Sequence, residues 1–307
     1  VYTDNIKQLL RNYENTNAGI KSNLAKILMN GKLGGTGRLL ILPVDQGHEH
    51  GPDKSFIKNP DAYDPSYHYN LAIEAGLSAY AAPLGFLEAG AETFAGQIPT
   101  ILKINSSNSL IGIKNQSKNG TVKEALRLGC SAVGFTIYPG SDHQYEMIEE
   151  FKEISLEAAE YGLPSVLWSY PRGPEISKEA ETSIDTISYA AHIAALLGAH
   201  IIKVKPPTSS ISESSLKENY NALINLNSLS ERIKHIKKCA FNSKRIVVFS
   251  GGNAKGDVEI LTEIKQIKDG GGNGSIIGRN SFQRPKKQAL NLLNKIIEIY
   301  KLSLIHI

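Results

Sequence analysis

The strongest constraint on the fold is an alternation of short apolar runs and helical segments, repeated eight times between residues 38 and 300. The apolar runs have strand length and cover 38–45, 79–85, 100–105, 132–138, 165–170, 200–205, 245–252 and 274–280. Helical spacing follows them; in 143–162, for example, Met147, Phe151, Ile154 and Ala158 form one stripe. Strands that alternate with helices indicate a parallel sheet.

Eight such units predict an α/β fold of the (β/α)8 TIM-barrel type, in which the sheet closes on itself. The alternative is an open doubly wound sheet, which more often has about five to seven strands. We predict three regions: an N-terminal helical extension (1–37), the barrel as catalytic domain (38–300) and a C-terminal tail (301–307). In a barrel the active site lies at the C-terminal ends of the strands.

Composition narrows the function classes. Apolar residues make up 41% of the 307 residues, enough for a large core. The net charge of +4 and the scattered basic residues indicate no nucleic-acid partner, and no apolar run reaches 18 residues, so we expect no membrane span. The only cysteines, Cys130 and Cys239, lie far apart in sequence. We therefore expect no disulfide scaffold and a cytoplasmic location.

The sixth apolar run, "GAHIIKVKPP" (198–207), contains two lysines. Lys203 and Lys205 are two residues apart and therefore face the same side of a strand. A buried ammonium tends to lose its proton, and a neutral amine is a nucleophile toward carbonyls. Lys103, in the third run, could add a further positive charge. The alternative without a catalytic role is a lysine whose charged end reaches solvent at the strand end.

Other polar residues stand at predicted strand ends. The first strand ends in Asp45, and the fifth in Trp168 and Tyr170, with Arg172 following. Tyr170 and Asp45 are both candidates for proton transfer. Each has a structural alternative: Asp45 as a loop cap, Tyr170 as a rim residue and Trp168 as core.

The segment "HEH" contains a possible metal pair, His48 and His50. No third histidine or acidic residue has a spacing that completes a metal site. We therefore predict no metal and assign His48 and His50 a structural or substrate-contacting role. Metal-dependent aldol chemistry through the two histidines is the alternative.

The last two predicted loops have the composition of a phosphate site. In these barrels, phosphate is often bound by the loops after strands seven and eight. Glycines leave backbone N–H groups accessible, and a guanidinium suits a dianion. We predict phosphate contacts from Ser250, Gly251, Gly252, Gly278 and Arg279; tight turns without a ligand are the alternative.

These side chains suggest a Schiff-base aldolase. An amine that attacks a ketone forms an iminium ion, which withdraws electrons and permits cleavage or formation of the adjacent C–C bond. The phosphate site would hold a small-molecule sugar phosphate with its carbonyl at the lysine. A proton-transferring group is then required, and Tyr170 and Asp45 both remain candidates.

The chain also resembles a known family, the archaeal-type class I fructose-1,6-bisphosphate aldolases, which many bacteria carry. The resemblance runs from about residue 38 to 300 and rests on the motifs "DQGHEHGP", "YAAPLGFLEAGA", "WSYPRG", "GAHIIKVK", "VVFSGG" and "IIGRNSFQRP". It implies that Lys203 forms the Schiff base, that Tyr170 transfers protons and that Asp45 is the acid of the first strand. It further implies a homo-oligomer that needs no cofactor or metal, the phosphate contacts above, and substrate contacts from Trp168, Arg172, His48 and Lys205.

The sequence departs from this family after the lysine. Family members commonly continue with a tyrosine and a Gly-Asp turn, whereas this chain has "KVKPP" and a longer connection. Lys205 therefore remains the alternative nucleophile. Two alternative functions also remain: a related reaction on another sugar phosphate, such as a transaldol step on a deoxyketohexose phosphate toward aromatic precursors, and a sugar-phosphate-binding scaffold without turnover.

Overall fold

The computed structural model describes residues 1–14, 16–251 and 256–302. Eight parallel strands form a closed barrel whose order follows the chain, and the last strand pairs with the first. The predicted TIM barrel is confirmed, and the open-sheet alternative is wrong. The strands are β1 (Leu39–Pro43), β2 (Ala79–Ala82), β3 (Thr100–Lys103), β4 (Ala132–Ile137), β5 (Ser165–Ser169), β6 (Ile201–Val204), β7 (Ile246–Ser250) and β8 (Gly274–Ile276).

Helices surround the barrel and occupy its connections. The α-helices are Asp4–Arg11, Ala18–Met29, Gln46–His50, Pro52–Phe56, Pro65–Ala75, Leu84–Glu88, Val122–Arg127, Gln144–Glu160, Ile184–Leu196, Lys217–Leu223, Leu229–Cys239, Asp257–Asp269, Arg279–Phe282 and Lys286–Lys301. Short 3-10 helices cover Pro60–Tyr63, Ala180–Thr182 and Ser214–Leu216. The predicted stripe Met147, Phe151, Ile154 and Ala158 is buried in its helix.

The two faces of the strands contribute to two separate apolar cores. In β6, Ile202 and Val204 belong to the core under the surrounding helices, and Ile201 belongs to the core inside the barrel. Because strand side chains alternate, Lys203 shares the inward face with Ile201. The same alternation makes Lys103 inward-facing above Ile101. Both lysines therefore point into the barrel near its C-terminal end.

The N-terminal helices close the opposite end of the barrel. Ile6, Leu10, Ile20 and Leu24 are buried and join one apolar cluster with inward-facing strand residues such as Ile41. Burial of each such side chain contributes roughly 1.5–3 kcal/mol. The extension thus closes the interior core at the N-terminal ends of the strands. The opposite end, at the C-terminal ends of the strands, stays accessible and is called the mouth of the barrel.

Two local features shape the mouth. A two-stranded ribbon, Asn105–Ser106 with Ser117–Lys118, follows β3 and is not predicted by the sequence patterns. At the end of β8, a Cβ on Gly278 would approach the Pro43 carbonyl oxygen to 2.6 Å, so only glycine fits there. This packing ends β8 and starts the turn that carries Arg279.

Among the described residues, no helix combines the length and apolarity that a membrane span requires.

Candidate active site

A cavity of about 590 Å³ opens at the C-terminal ends of the barrel strands. It brings together nearly all the residues predicted from strand ends. Those that line it are Asp45, Trp168, Tyr170, Arg172, Lys203, Lys205, Ser250, Gly251, Gly278 and Arg279. The wall therefore combines an acid, a phenol, buried amines and a pair of loops suited to a phosphate.

Lys203 lies in an aromatic pocket inside the mouth. Its side chain is 5% exposed, and its Nζ atom is 5.1 Å from the ring centroid of Trp168 and 5.6 Å from that of Tyr170. Trp168 packs closely there because its neighbour Gly134 has no side chain; a Cβ at that position would lie 2.7 Å from the indole. Burial lowers the pKa of Lys203 to about 8, although the Asp45 and Glu49 carboxylates act in the opposite direction.

Lys103 is a second buried amine on the same tryptophan. Its Nζ atom is 5.6 Å from the Trp168 ring centroid and donates to the backbone and side-chain oxygens of Asn105. Burial lowers its pKa to about 8 as well. Its charge contributes to the lowered pKa of Lys203. Lys103 is therefore a positioned cationic neighbour of the lysine predicted to be the nucleophile.

Lys205 has a different environment. Its Nζ atom is 2.9 Å from Oε2 of Glu181, a carboxylate that is 8% exposed and also pairs with Lys178. Lys203 has no carboxylate within ion-pair distance among the described residues. Burial lowers the pKa of Lys205 too, but the ion pair with Glu181 opposes this and favours the protonated amine, so the difference favours Lys203 over Lys205 as nucleophile.

Tyr170 lies between the lysines and the seventh strand. Its ring is 5.9 Å from Nζ of Lys205, and its hydroxyl forms a hydrogen bond with Ser250. Burial, together with the nearby Asp45 and Glu49 carboxylates, raises the pKa of Tyr170 well above its ordinary value. The phenol is therefore protonated at neutral pH and able to donate a proton.

Arg172 connects Glu49 and Tyr138 on the cavity wall. Its guanidinium is 3.4 Å from Glu49 and donates to the Tyr138 hydroxyl at 3.1 Å. Burial alone would raise the pKa of Glu49, but Arg172 and His50 outweigh this and lower it. Glu49 thus stays ionised and fixes the guanidinium, leaving Arg172 positioned to contact an anionic substrate group.

Five buried polar atoms on the cavity wall have no hydrogen-bond partner among the described residues. They are Gln46 Oε1, Ser106 Oγ, Gln116 Oε1, Trp168 Nε1 and Arg172 Nε. Unsatisfied buried polar groups are destabilising unless something bonds them. Their position on the wall fits a ligand that carries several hydroxyl and phosphate oxygens.

One predicted residue, His48, is not brought to this wall. His48 is exposed, and its Nδ1 donates to the Ser107 carbonyl at 3.2 Å, whereas His50 lines the cavity. The reason is that this segment is helical, so residues two apart point in nearly opposite directions. Gly252 lies outside the described residues. No cluster of three metal-ligating side chains occurs within the part of the chain that the structure describes.

Several cavity residues were not selected by sequence reasoning. Glu49 belongs to the "HEH" segment but was set aside with its histidines, and Tyr138, Ser106 and Asn280 carried no signal. Extending the strand-end rule to the residues just beyond each predicted strand could have identified them, since β4 ends directly before Tyr138. Glu181 comes from a 3-10 turn, which a strand-end rule does not reach.

A closed barrel whose mouth holds a buried amine, a phenol and a cationic loop pair defines an enzyme of the barrel aldolase class. The model of the DeoC/LacD family aldolases matches residues 39–284. A probable class 1 fructose-bisphosphate aldolase of Chlamydia trachomatis is 36% identical over 97% of this chain and 88% of its own length. The corresponding enzyme of Thermoproteus tenax is 35% identical over 86% and 89% of the two chains.

A solved archaeal fructose-1,6-bisphosphate aldolase, with its catalytic lysine bound covalently in the carbinolamine intermediate, has a TM-score of 0.75 and 32% identity. The match covers 90% of this chain and 98% of that one. The chain therefore belongs to the DeoC/LacD family of aldolases, among the class I fructose-bisphosphate aldolases, as the resemblance of its motifs predicted.

Proposed function

We propose that the protein cleaves fructose 1,6-bisphosphate reversibly to dihydroxyacetone phosphate and glyceraldehyde 3-phosphate, with Lys203 as Schiff-base nucleophile. The observation that carries this proposal is the buried amine of Lys203, with a pKa of about 8, between Trp168 and Tyr170. At pH 7.5 such an amine is neutral in roughly a quarter of the molecules, against about one in a thousand at the ordinary pKa of lysine. The fold supplies a usable nucleophile without a cofactor.

The first half of the reaction takes place at the substrate C2 carbonyl. The Lys203 amine adds to C2, and a proton moves to the oxygen to give a carbinolamine. Tyr170 donates a proton to the departing hydroxyl, so that water leaves and a protonated iminium remains. The phenol suits this step because it is fully protonated at neutral pH and lies beside the amine.

The second half breaks the C3–C4 bond. A base removes the proton of the C4 hydroxyl, C4 becomes the aldehyde carbon, and the bond electrons flow through C3 into the iminium as an enamine. Asp45 on the same wall, or the phenolate left by the previous step, is the acceptor of that proton. Protonation of C3 and addition of water then release dihydroxyacetone phosphate.

Anchoring of the phosphate fixes which carbon faces Lys203. Ser250 ends β7 and Gly251 follows it, Gly278 and Arg279 follow β8, and all four line the cavity. Because β7 and β8 pair with each other, these residues lie on neighbouring strands of the barrel. Tyr170 connects these residues to the amine, since its hydroxyl bonds Ser250 and its ring centroid lies 5.6 Å from Nζ of Lys203. Trp168, Arg172 and Lys205 would contact the sugar chain. His48 does not line the cavity, so it would not contact the part of the substrate that lies inside.

The experiment that tests this proposal is reductive trapping. The protein is incubated with dihydroxyacetone phosphate and sodium borohydride, and the modified peptide is mapped by mass spectrometry. We expect one adduct per chain, on Lys203. Modification of Lys205 would transfer the nucleophile to that residue, and absence of any adduct would contradict Schiff-base chemistry.

A comparison of turnover on related sugar phosphates tests which of them is the substrate. Cleavage of fructose 1,6-bisphosphate is compared with transaldol transfer from a deoxyketohexose phosphate and with cleavage of fructose 1-phosphate. We expect the bisphosphate to have the highest kcat/KM, and activity to survive exhaustive chelation. A higher kcat/KM for the deoxyketohexose donor would leave the iminium mechanism in place but show that fructose 1,6-bisphosphate is not the preferred substrate.

The pH dependence should follow the Lys203 amine. Because only the neutral amine attacks, kcat/KM should rise about tenfold per pH unit below the pKa of about 8 and level off above it. Lys103→Met removes a positive neighbour that lowers this pKa, so the rising limb should move to higher pH by up to about one unit. The measurement is kcat/KM from pH 5.5 to 9.5 for both proteins.

A matched control for Lys103→Met is Lys178→Met, which removes an exposed lysine at the outer rim. Its pH profile should coincide with that of the parent protein. An identical profile for Lys103→Met would show that Lys103 does not set the pKa of the nucleophile.

We also propose a homo-oligomer in the cytoplasm. The two cysteines are free thiols, and Cys130 is buried, which suits a reducing compartment. The apolar side chains of Tyr189, Leu196 and Val258 are largely exposed on the outer helices and are available for subunit contacts. Sedimentation of the full chain at several concentrations tests the assembly.

A further inference from the structure

A second cavity of about 490 Å³ lies at the base of the barrel, at the opposite end from the candidate active site. Its wall combines the N-terminal extension with the residues that precede β6 and β7. Those used below are Arg11, Tyr13, His200, Phe241, Lys244 and Arg245. None of them takes part in the proposed reaction.

The base cavity has an excess of positive charge. Among the described residues, three cations line it, against one carboxylate, Glu14. Within residues 1–14, 16–251 and 256–302, neither Arg11, Lys244 nor Arg245 forms an ion pair. The guanidinium of Arg245 lies over the rings of Tyr13 and Phe241, at 5.2 and 5.1 Å. It donates only through Nη1, to two backbone carbonyls, which leaves Nε and Nη2 without a partner in the described part of the chain.

His200 supplies a neutral donor to the same cavity. Its Nδ1 accepts a hydrogen bond from the Ser165 backbone N–H at 3.1 Å, so the proton of the neutral ring is on Nε2. This Nε2–H has no partner among the described residues, although the residue is 9% exposed and lines the cavity. Burial lowers the pKa of His200 to about 4, with Arg245 acting in the same direction, so the tautomer holds at neutral pH.

The backbone beside the cavity is held in an unfavourable conformation. Phe241, Asn242 and Ser243 are three successive non-glycine residues with φ of 57°, 51° and 67°. Left-handed residues of this kind occur singly as a rule, and runs of them persist only where surrounding structure requires them. Here the run brings the Phe241 ring to Arg245 and Lys244 to the cavity rim.

The cavity also joins the extension to two catalytic strands. The Tyr13 hydroxyl donates to the His200 carbonyl at 2.5 Å and accepts from the Ile246 N–H at 3.0 Å. It thus bridges the bases of β6 and β7, which carry Lys203 and Ser250 at their other ends. A ligand in the cavity would contact this bridge from the solvent side.

We propose that the base cavity is a second binding site, for a phosphate dianion that is free or carried as a small monoester. The unpaired guanidinium N–H groups of Arg245 and the Nε2–H of His200 would bind the phosphate oxygens, and Arg11 and Lys244 would close the rim. The excess of positive charge favours an anion, and the volume exceeds that of a bare ion and accommodates a small ester body.

The site is located first by diffraction. Crystals of the full chain are soaked in sodium tungstate, a heavy-atom mimic of phosphate, and anomalous scattering locates the tungsten atoms. We expect one peak between Arg245 and His200, besides any in the mouth. Peaks confined to the mouth of the barrel would overturn the proposal.

Affinity then separates the base site from the mouth. Inorganic phosphate and glycerol 3-phosphate are titrated calorimetrically into the parent chain, into Arg11→Gln/Lys244→Gln, and into the control Lys217→Gln/Lys295→Gln, which removes two exposed lysines elsewhere. The base variant should lose about tenfold or more in affinity at one site, while the control and the turnover of both variants remain as in the parent. Equal affinities in the base variant and the control would contradict the site, and tighter binding of the ester than of phosphate would identify a metabolite as its source.

Discussion

Lys203→Ala is expected to abolish turnover, lowering kcat/KM by on the order of 10⁴-fold or more. The reason is that the other described lysines of the wall are held by partners: Lys205 and Lys178 pair with Glu181, and Lys103 is bonded to Asn105. Folding should be unaffected, because the change removes a buried charged group and leaves the apolar layer around Ile201 intact. The measurements are fructose 1,6-bisphosphate cleavage, borohydride trapping and the midpoint of thermal unfolding.

The matched control is Lys205→Ala, two residues away on the same face of the strand. Its loss breaks the ion pair with Glu181, but Lys178 still bonds that carboxylate. We expect a higher KM, a kcat within about tenfold of the parent and an undiminished borohydride adduct on Lys203. If Lys203→Ala retained the adduct while Lys205→Ala lost it, the two lysines would exchange roles.

Much of the fold could be predicted because the information is local. Each apolar run and each helical stripe is a property of a few neighbouring residues, and the count of eight units implied closure of the barrel. The orientation of Lys203 is local too, since it follows from strand alternation with Ile201. The rule that barrel active sites lie at strand ends also groups Asp45, Tyr170 and Arg279 at one end of the barrel.

The contacts that tune the site could not be predicted in this way, because their partners are distant in sequence. Glu49 meets Arg172 across 123 positions, and Glu181 reaches Lys205 from a turn between β5 and the next helix. The sequence pattern also does not distinguish the two histidines of "HEH", His48 and His50, for which one structural or substrate-contacting role was predicted. The segment is helical, so His50 lines the cavity and His48 faces solvent.

The closure of the barrel base was also beyond the sequence patterns. The extension was predicted to be helical, but its amphipathic pattern does not say which surface it covers. The structure packs Ile6 and Leu24 against the inward-facing strand residues and joins Tyr13 to the bases of two strands. Such packing depends on shape complementarity with residues up to 233 positions away.

Tyr170→Phe is expected to lower kcat by about 10²-fold or more while changing KM little. The substitution removes only the hydroxyl that transfers protons and leaves the aromatic ring against Lys203, which lies 5.6 Å from its centroid. Because amine addition does not need the phenol, the borohydride adduct on Lys203 should still form, more slowly. A second readout is the exchange of the C3 proton of dihydroxyacetone phosphate with deuterated solvent, followed by NMR, which should slow in parallel with cleavage.

Tyr138→Phe is the matched control, since Tyr138 lines the same cavity but bonds Arg172, Ser107 and Gln116. Loss of its hydroxyl should weaken substrate binding through Arg172 and leave proton exchange at C3 close to the parent rate. A slow Tyr170→Phe beside a fast Tyr138→Phe therefore assigns the proton to the phenol that bonds Ser250. Equal exchange rates in the Tyr170 variant and the parent would instead make the Asp45 carboxylate the group that carries the proton.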